Sequence, residues 1–212
     1  MVNSGNSGLI SRIDELKGKV SQLLRQIVFT TFIVEEQPSQ VVKKFGYITT
    51  KVRLLVGSIK KFQAQGVVVQ VILINEEQAK VMIKTGQLVS NSGRIQNDQK
   101  PMVLNDVRLN EEGLNGEELS VHFNDMKIKE LRRSYGKTDS SVMNEKFFLL
   151  FKIKVKIEET IDTIVWTLSL PFVVIVNVSQ ESKAWAALTW YNTFSEFVSF
   201  LDCLFKHNPI NH

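Results

Sequence analysis

VWTLSLPFVVIVNVSQESKAWAALTWYN, residues 165–192, decides how this chain folds. It reads as two strand-like runs, a polar corner and an amphipathic helix. Phe172–Val176 is an unbroken apolar run rich in β-branched residues, the composition of a strand covered on both faces. Pro171 opens it, where a missing N–H costs least. Asn177 interrupts it with an amide that both donates and accepts. Beyond Ser179-Gln180-Glu181-Ser182, the residues Trp185, Leu188 and Tyr191–Asn192 return at helical spacing, which predicts a helix folded back over the end of the sheet.

Upstream of that stretch the pattern is mostly of period two. From Ile27, IVFTTFIVEEQP reads as a first strand stopped by Pro38, and FGYITTKVRLLVG as the next, with Val52, Leu54 and Val56 on one face. VVVQVILI, residues 67–74, is a buried strand. NEEQAKVMIKTG has acids early, Lys80 and Lys84 late and Gly86 just beyond, the marks of a short helix. Residues 86–100 are turn formers and read as a long surface loop. MVLNDVRLN, ELSVHFNDMKI, KFFLLFKIKVKIEE and TIVWTLSL supply further strands, with KELRRSYGKTDS a basic loop among them. Seven or more strands separated by turn clusters make a mainly β chain, an antiparallel β-sandwich. The single cysteine, Cys203, excludes the disulfide-pinned immunoglobulin subtype.

The N-terminal part has a different period. Residues 1–8, rich in Gly, Ser and Asn, read as disordered. Then Leu9, Ile13, Leu16, Val20, Leu23 and Ile27 alternate steps of four and three, the seam of a heptad repeat. One such helix cannot bury its own stripe. It either lies on the following domain or takes a helical protein partner along Leu9–Ile27.

Composition narrows the function. The 212 residues carry a net charge of +4, which permits an anionic partner without demanding one. The start of the chain has no basic segment followed by an apolar core, and no uncharged apolar run approaches a membrane span, so no membrane partner is expected. His122, His207 and His212 show no metal-ligand spacing, and there is no nucleophile elbow or phosphate loop. The expectation is no enzyme, no metal and no cofactor. The basic loop holds Lys127, Lys129, Arg132, Arg133 and Lys137 within eleven residues, suited to phosphate. Such a run is equally a solvated face. Lys152, Lys154 and Lys156 share an outer strand face, where lysines guard against aggregation.

SLPFVVIVNVSQ followed by AWAALTWYNTF resembles the end of the DNA-binding domain of the STAT family, the signal transducers and activators of transcription. LLRQIVFTTFIVEEQPSQ is similar to the junction at which that family's coiled coil enters the domain. The resemblance implies an immunoglobulin-like antiparallel β-sandwich with an N-terminal helix and C-terminal helices. It divides the chain into the end of a coiled-coil helix (9–28), the DNA-binding domain (29–195) and the start of a helical linker (196–212), a truncated member. It further implies DNA contacts from Lys60 and Lys61, from Lys129, Arg132 and Lys137, from Glu145 within SVMNEKF, and from Asn177, an amide suited to a base edge. SVMNEKF departs from the more usual SVTEEKF at Asn144. The implied partner is double-stranded DNA with a palindromic TTC…GAA site, read in the nucleus by a protein that also resides in the cytoplasm, downstream of a cytokine-type receptor and kinase. Dimerisation is implied only if a longer form carries an SH2 domain. The competing expectation is an interaction module or decoy that acts through the heptad helix.

Overall fold

The structure, a computed structural model, describes residues 4–56, 66–108, 115–133, 143–158 and 161–195. Helix α1 (Ser4–Thr31) leads into β1 (Phe32–Glu36), β2 (Val41–Lys43), β3 (Tyr47–Leu54) and β4 (Val68–Asn75). Helix α2 (Glu76–Thr85) precedes β5 (Gly93–Gln96), β6 (Gln99–Pro101), β7 (Val103–Arg108) and the long β8 (Asn115–Leu131). Then come β9 (Phe147–Glu158), β10 (Ile161–Leu168), β11 (Val173–Ile175), a 3-10 turn (Val178–Gln180) and α3 (Glu181–Phe194).

Two antiparallel sheets face each other, as the alternation of turns and strands predicts. One has the order β1-β3-β8-β5, with β7 also paired to β8; the other has the order β10-β9-β4-β6. A short parallel pair, β11 with β2, closes one end.

The apolar runs explain themselves once the layers are placed. Val69, Val71 and Leu73 of β4 enter the core between the sheets with Phe147, Leu149, Phe151 and Ile153 of β9, facing Phe32, Leu54, Phe123 and Ile128. The intervening Ile72, Ile74, Phe148 and Leu150 lie under Ala79 and Met82 of α2. Both strands are therefore covered twice where α2 lies and read as unbroken apolar runs. Farther along β9 the buried Ile153 and Val155 alternate with half-buried Lys152 and exposed Lys154 and Lys156. A third cluster, Met143, Val173, Ile175, Ala184 and Leu188, seats α3 on β11. Trp185 is exposed instead, because Ala184 and Leu188 take the inner face.

Helix α2 has the ends its sequence predicts. The Gln78 N–H donates to Asn75 Oδ1 at 2.9 Å, and the Asn75 N–H donates back to Gln78 Oε1 at 3.0 Å. Gly86, at φ 67°, closes the helix by donating to the Met82 carbonyl.

Four expectations need correction. Helix α1 takes in Ser4–Gly8, which composition assigns to disorder, and runs on to Thr31, so the first strand starts at Phe32 rather than Ile27. The Thr30 and Thr31 hydroxyls donate back to the Gln26 and Ile27 carbonyls, and Val28 is fully buried in the sandwich core, so packing overrides β-propensity. Residues 86–100 are not all loop: β5 pairs with β8, and β6 with β4. The basic segment is strand as far as Leu131, because β5 extends the ladder of β8 that far.

Across β1, β3 and β8 runs an ion-pair network. Lys51 Nζ lies 2.7 Å from Glu118 and 2.8 Å from Glu35; Arg53 lies 2.9 Å from Glu35 and 3.4 Å from Glu118. Burial, the largest single influence, raises the Glu118 pKa, but hydrogen bonds from Lys51 and Ser120 and the charge of Arg53 together carry it below its ordinary value. Glu35 is lowered in the same way, burial being outweighed by Lys51 and Arg53. Carboxylates depressed by folding stabilise above the unfolded carboxylate range, and that contribution is lost as pH falls through the lower folded values. Urea melts at pH 7, 4 and 3 should therefore show an acid loss that is smaller in Glu118→Gln. An identical acid loss in the variant would remove Glu118 from the explanation.

Candidate nucleic-acid interface

The interface is built around the end of β11. In its parallel pairing with β2, Val173 stands opposite Val41, Val174 opposite Val42 and Ile175 opposite Lys43. The Lys44 N–H donates to the Ile175 carbonyl at 2.8 Å, so the turn after β2 is bonded directly to the strand that ends at the corner. Past Ile175 the chain bends, and Asn177 stands exposed.

Gln180 holds that bend. Its buried side chain accepts from the Val176 and Asn177 N–H groups at 3.0 and 3.2 Å, while its own N–H donates to the Asn177 carbonyl at 3.1 Å. The backbone of the corner is thus fixed by a neighbour three residues on, and Asn177 caps the turn while remaining exposed as a residue.

Arg132 and Arg133 follow the end of β8. The Arg132 N–H donates to the Ser92 carbonyl at 2.7 Å, and its side chain is exposed. Arg133 turns the other way: its Nη2 donates to the Val174 carbonyl at 2.7 Å, and its Nη1 lies 3.5 Å from Glu145 Oε2. Burial pushes the guanidinium down from its ordinary pKa, and the Glu145 charge restores part of the difference. Lys129 is exposed two residues before Leu131, and Lys127 sets its ammonium 3.8 Å from the centre of the Tyr47 ring. The basic segment thereby meets β11 through the Arg133 bond to Val174, three residues before Asn177.

Glu145, which the resemblance implies as a DNA contact, lies beside Arg133. It is only 5% exposed and paired with Arg133 inside the protein, so it is not a surface group in this structure. Its neighbour Lys146 is also buried, donates to the Met143 carbonyl and lies 5.2 Å from the Tyr191 ring of α3. Lys60, Lys61 and Lys137 lie outside the described residues.

The turn Lys43–Tyr47 is a feature that the sequence reading passed over as the start of a strand. Phe45 sits at φ 66°, is 56% exposed, and has Lys44 Nζ 5.0 Å from its ring centre. Gly46 donates to the Lys43 carbonyl, and a Cβ on it would stand 2.9 Å from that oxygen. Two lysines and two exposed aromatics in KKFGY were the available signal, since a strand core has no use for that combination. Among the described residues, no group of three or more His, Cys, Asp or Glu comes together as a metal site. No helix among them is long and apolar enough to cross a membrane.

Comparison with known proteins converges on the same segment. A family model described as "STAT protein, DNA binding domain" matches residues 36–175. That span runs from the end of β1 to the end of β11 and includes the KKFGY turn, β8, Arg133 and Glu145. A "Signal transducer and transcription activator" of Drosophila melanogaster is 33% identical over 193 residues, which is 88% of this chain. The aligned part is 24% of that relative, so the chain spans about a quarter of its length. With the model covering most of the sandwich and the relative covering most of the chain, this protein belongs to the STAT family.

Proposed function

We propose that this chain binds double-stranded DNA at the β11 corner, as the DNA-reading portion of a STAT-type transcription factor. The observation that carries the reading is the exposed Asn177 amide, set beside the Lys43–Lys44 turn and the end of the basic segment. Lys43, Lys44, Lys129 and Arg132 would neutralise phosphates, giving salt-sensitive, sequence-independent affinity. Asn177 would read a base edge, an adenine in the major groove being the geometric match for an amide. Lys60, Lys61 and Lys137 belong to the same proposal as further phosphate contacts. The palindromic TTC…GAA duplex is the proposed target. Each copy would supply one half-site, and dimerisation would fall to an SH2 domain in a longer form. In this reading residues 29–195 form the DNA-binding domain, 9–28 the end of a coiled-coil helix and 196–212 the start of a linker. Control by a cytokine-type receptor and kinase, with passage from cytoplasm to nucleus, is part of the same proposal.

Fluorescence anisotropy with a labelled TTC…GAA duplex tests it. Asn177→Ala should weaken binding roughly tenfold, within the range for one specific base contact, with little effect on a scrambled duplex. Log affinity should fall linearly with log salt, and Arg132→Gln should reduce the slope by about 0.9. Salt-independent binding, or equal affinity for matched and scrambled duplexes, would sink the proposal.

One observation favours a second role for the N-terminal helix. Leu9, Leu16 and Leu23 of α1 are 58–61% exposed, and Ile13, Val20 and Ile27 of the same seam are exposed with them. Arg12, Lys17 and Lys19 flank the seam, so its proposed partner is a helix with apolar seam residues and acidic flanks.

A further inference from the structure

We propose that Arg133 is a positioning residue: it replaces a rung of β-ladder between the Glu145 segment and β11, and so sets where the corner presents Asn177. The inference rests on the DNA-binding reading above and assigns Arg133 a role other than phosphate contact.

The geometry comes from the register. Phe147 and Phe172 form an antiparallel bridge, each N–H donating to the other's carbonyl at 2.9 Å. Two residues farther along that ladder, Glu145 falls opposite Val174. No strand continues there; the Arg133 guanidinium stands in the gap, bonded to the Val174 carbonyl and beside the Glu145 carboxylate. The Val174 carbonyl needs such a donor. Val173 donates to the Gln40 carbonyl and Ile175 accepts from Lys44, so residues 173 and 175 face β2 and Val174 faces the open edge. An arginine fork can serve a carbonyl and a carboxylate together, which a lysine cannot match.

Burial separates Arg133 from its neighbour. Its side chain is 15% exposed and that of Glu145 5%, with the guanidinium 6.0 Å from the Phe147 ring centre; Arg132 is open to solvent. To reach a phosphate, Arg133 would have to break its hydrogen bond to the edge carbonyl and move away from a buried carboxylate, both costly inside the protein. The effect is passed on because the backbone beyond has little slack: Gln180 binds residues 176 and 177. A shift at Val174 therefore moves Asn177, and a base contact tolerates little displacement.

The test is anisotropy at several salt concentrations, with matched TTC…GAA and scrambled duplexes, on the full chain. Arg133→Met/Glu145→Gln removes both charges of the clamp together, and circular dichroism melts confirm which variants are folded. The double variant should lose matched-over-scrambled preference roughly tenfold, as Asn177→Ala does, while its salt slope stays at the wild-type value. Adding Asn177→Ala should then cost almost nothing more. Arg132→Gln should do the reverse, lowering the slope by about 0.9 and keeping the preference. Arg133→Lys should recover only part of the preference. A slope loss in the Arg133 variant, or a preference loss that multiplies with that of Asn177→Ala, overturns the positioning role alone. A wild-type chain without any preference overturns the DNA-binding reading and this inference with it.

Discussion

Phe151→Ala is expected to destabilise the protein by about 3–5 kcal/mol, from the loss of transferred apolar surface and the cavity left behind. Phe151 is fully buried near the middle of β9, between Val71 of β4 and Thr167 of β10 in the sheet. Its ring lies 6.1 Å from that of Phe123 at 48°, across the interface between the two sheets. Removing it therefore deletes a contact between layers, and a tilted aromatic pair adds about 0.5–1.5 kcal/mol beyond area. Domains are stable by only about 5–15 kcal/mol, so this one change removes a large share. Urea denaturation is the measurement, with a lower midpoint and an unchanged slope as the expected result. Lys156→Ala, on the outer face of the same strand, should stay within about 0.5 kcal/mol of wild type. A loss below about 1 kcal/mol for Phe151→Ala would mean the two sheets are not packed through this residue.

Gly93→Val should be comparably severe, about 3 kcal/mol or more, through crowding instead of a void. Gly93 pairs with Leu131 at the start of β5. A Cβ there would press on the Glu130 carbonyl oxygen and lie 2.9 Å from Leu73 Cδ2. The first is main chain of the paired strand and the second is a fully packed core residue, so neither yields cheaply. The consequence reaches the proposed interface. Ser92, next in the chain, donates to the Leu73 carbonyl and accepts from the Arg132 N–H, so pushing β5 away releases the segment that aims Arg132 and Arg133. Both stability and duplex affinity should fall. Gly93→Ala provides the finer measurement: a melting temperature equal to wild type would show that β5 does not approach β8 this closely.

The features legible in the sequence are those fixed by near neighbours. Asn75, Gln78 and Gly86 define α2 because caps act within a few residues. VVVQVILI and KFFLLF announce strands covered twice, and KIKVK announces where the cover ends, because side-chain alternation is a property of a single strand. The Asn177 corner was legible for the same reason: an amide closing a β-branched run before a helical pattern is a local signal. The short strands β5 and β6 were not, since three or four residues rich in turn formers become strand only by pairing with β8 and β4.

The division between contact and support at the candidate interface was decided by tertiary structure alone. Arg132 and Arg133 are adjacent and chemically identical, yet one is open to solvent and the other is clamped between residues 12 and 41 positions away. Glu145, a DNA contact by resemblance, is buried against that guanidinium. The KKFGY turn meets the corner only because β2 and β11, some 130 residues apart, lie in parallel register. Composition and periodicity report on a residue and its near neighbours. Burial and ion pairing depend on which distant strand arrives opposite, and that is set when the sheets assemble.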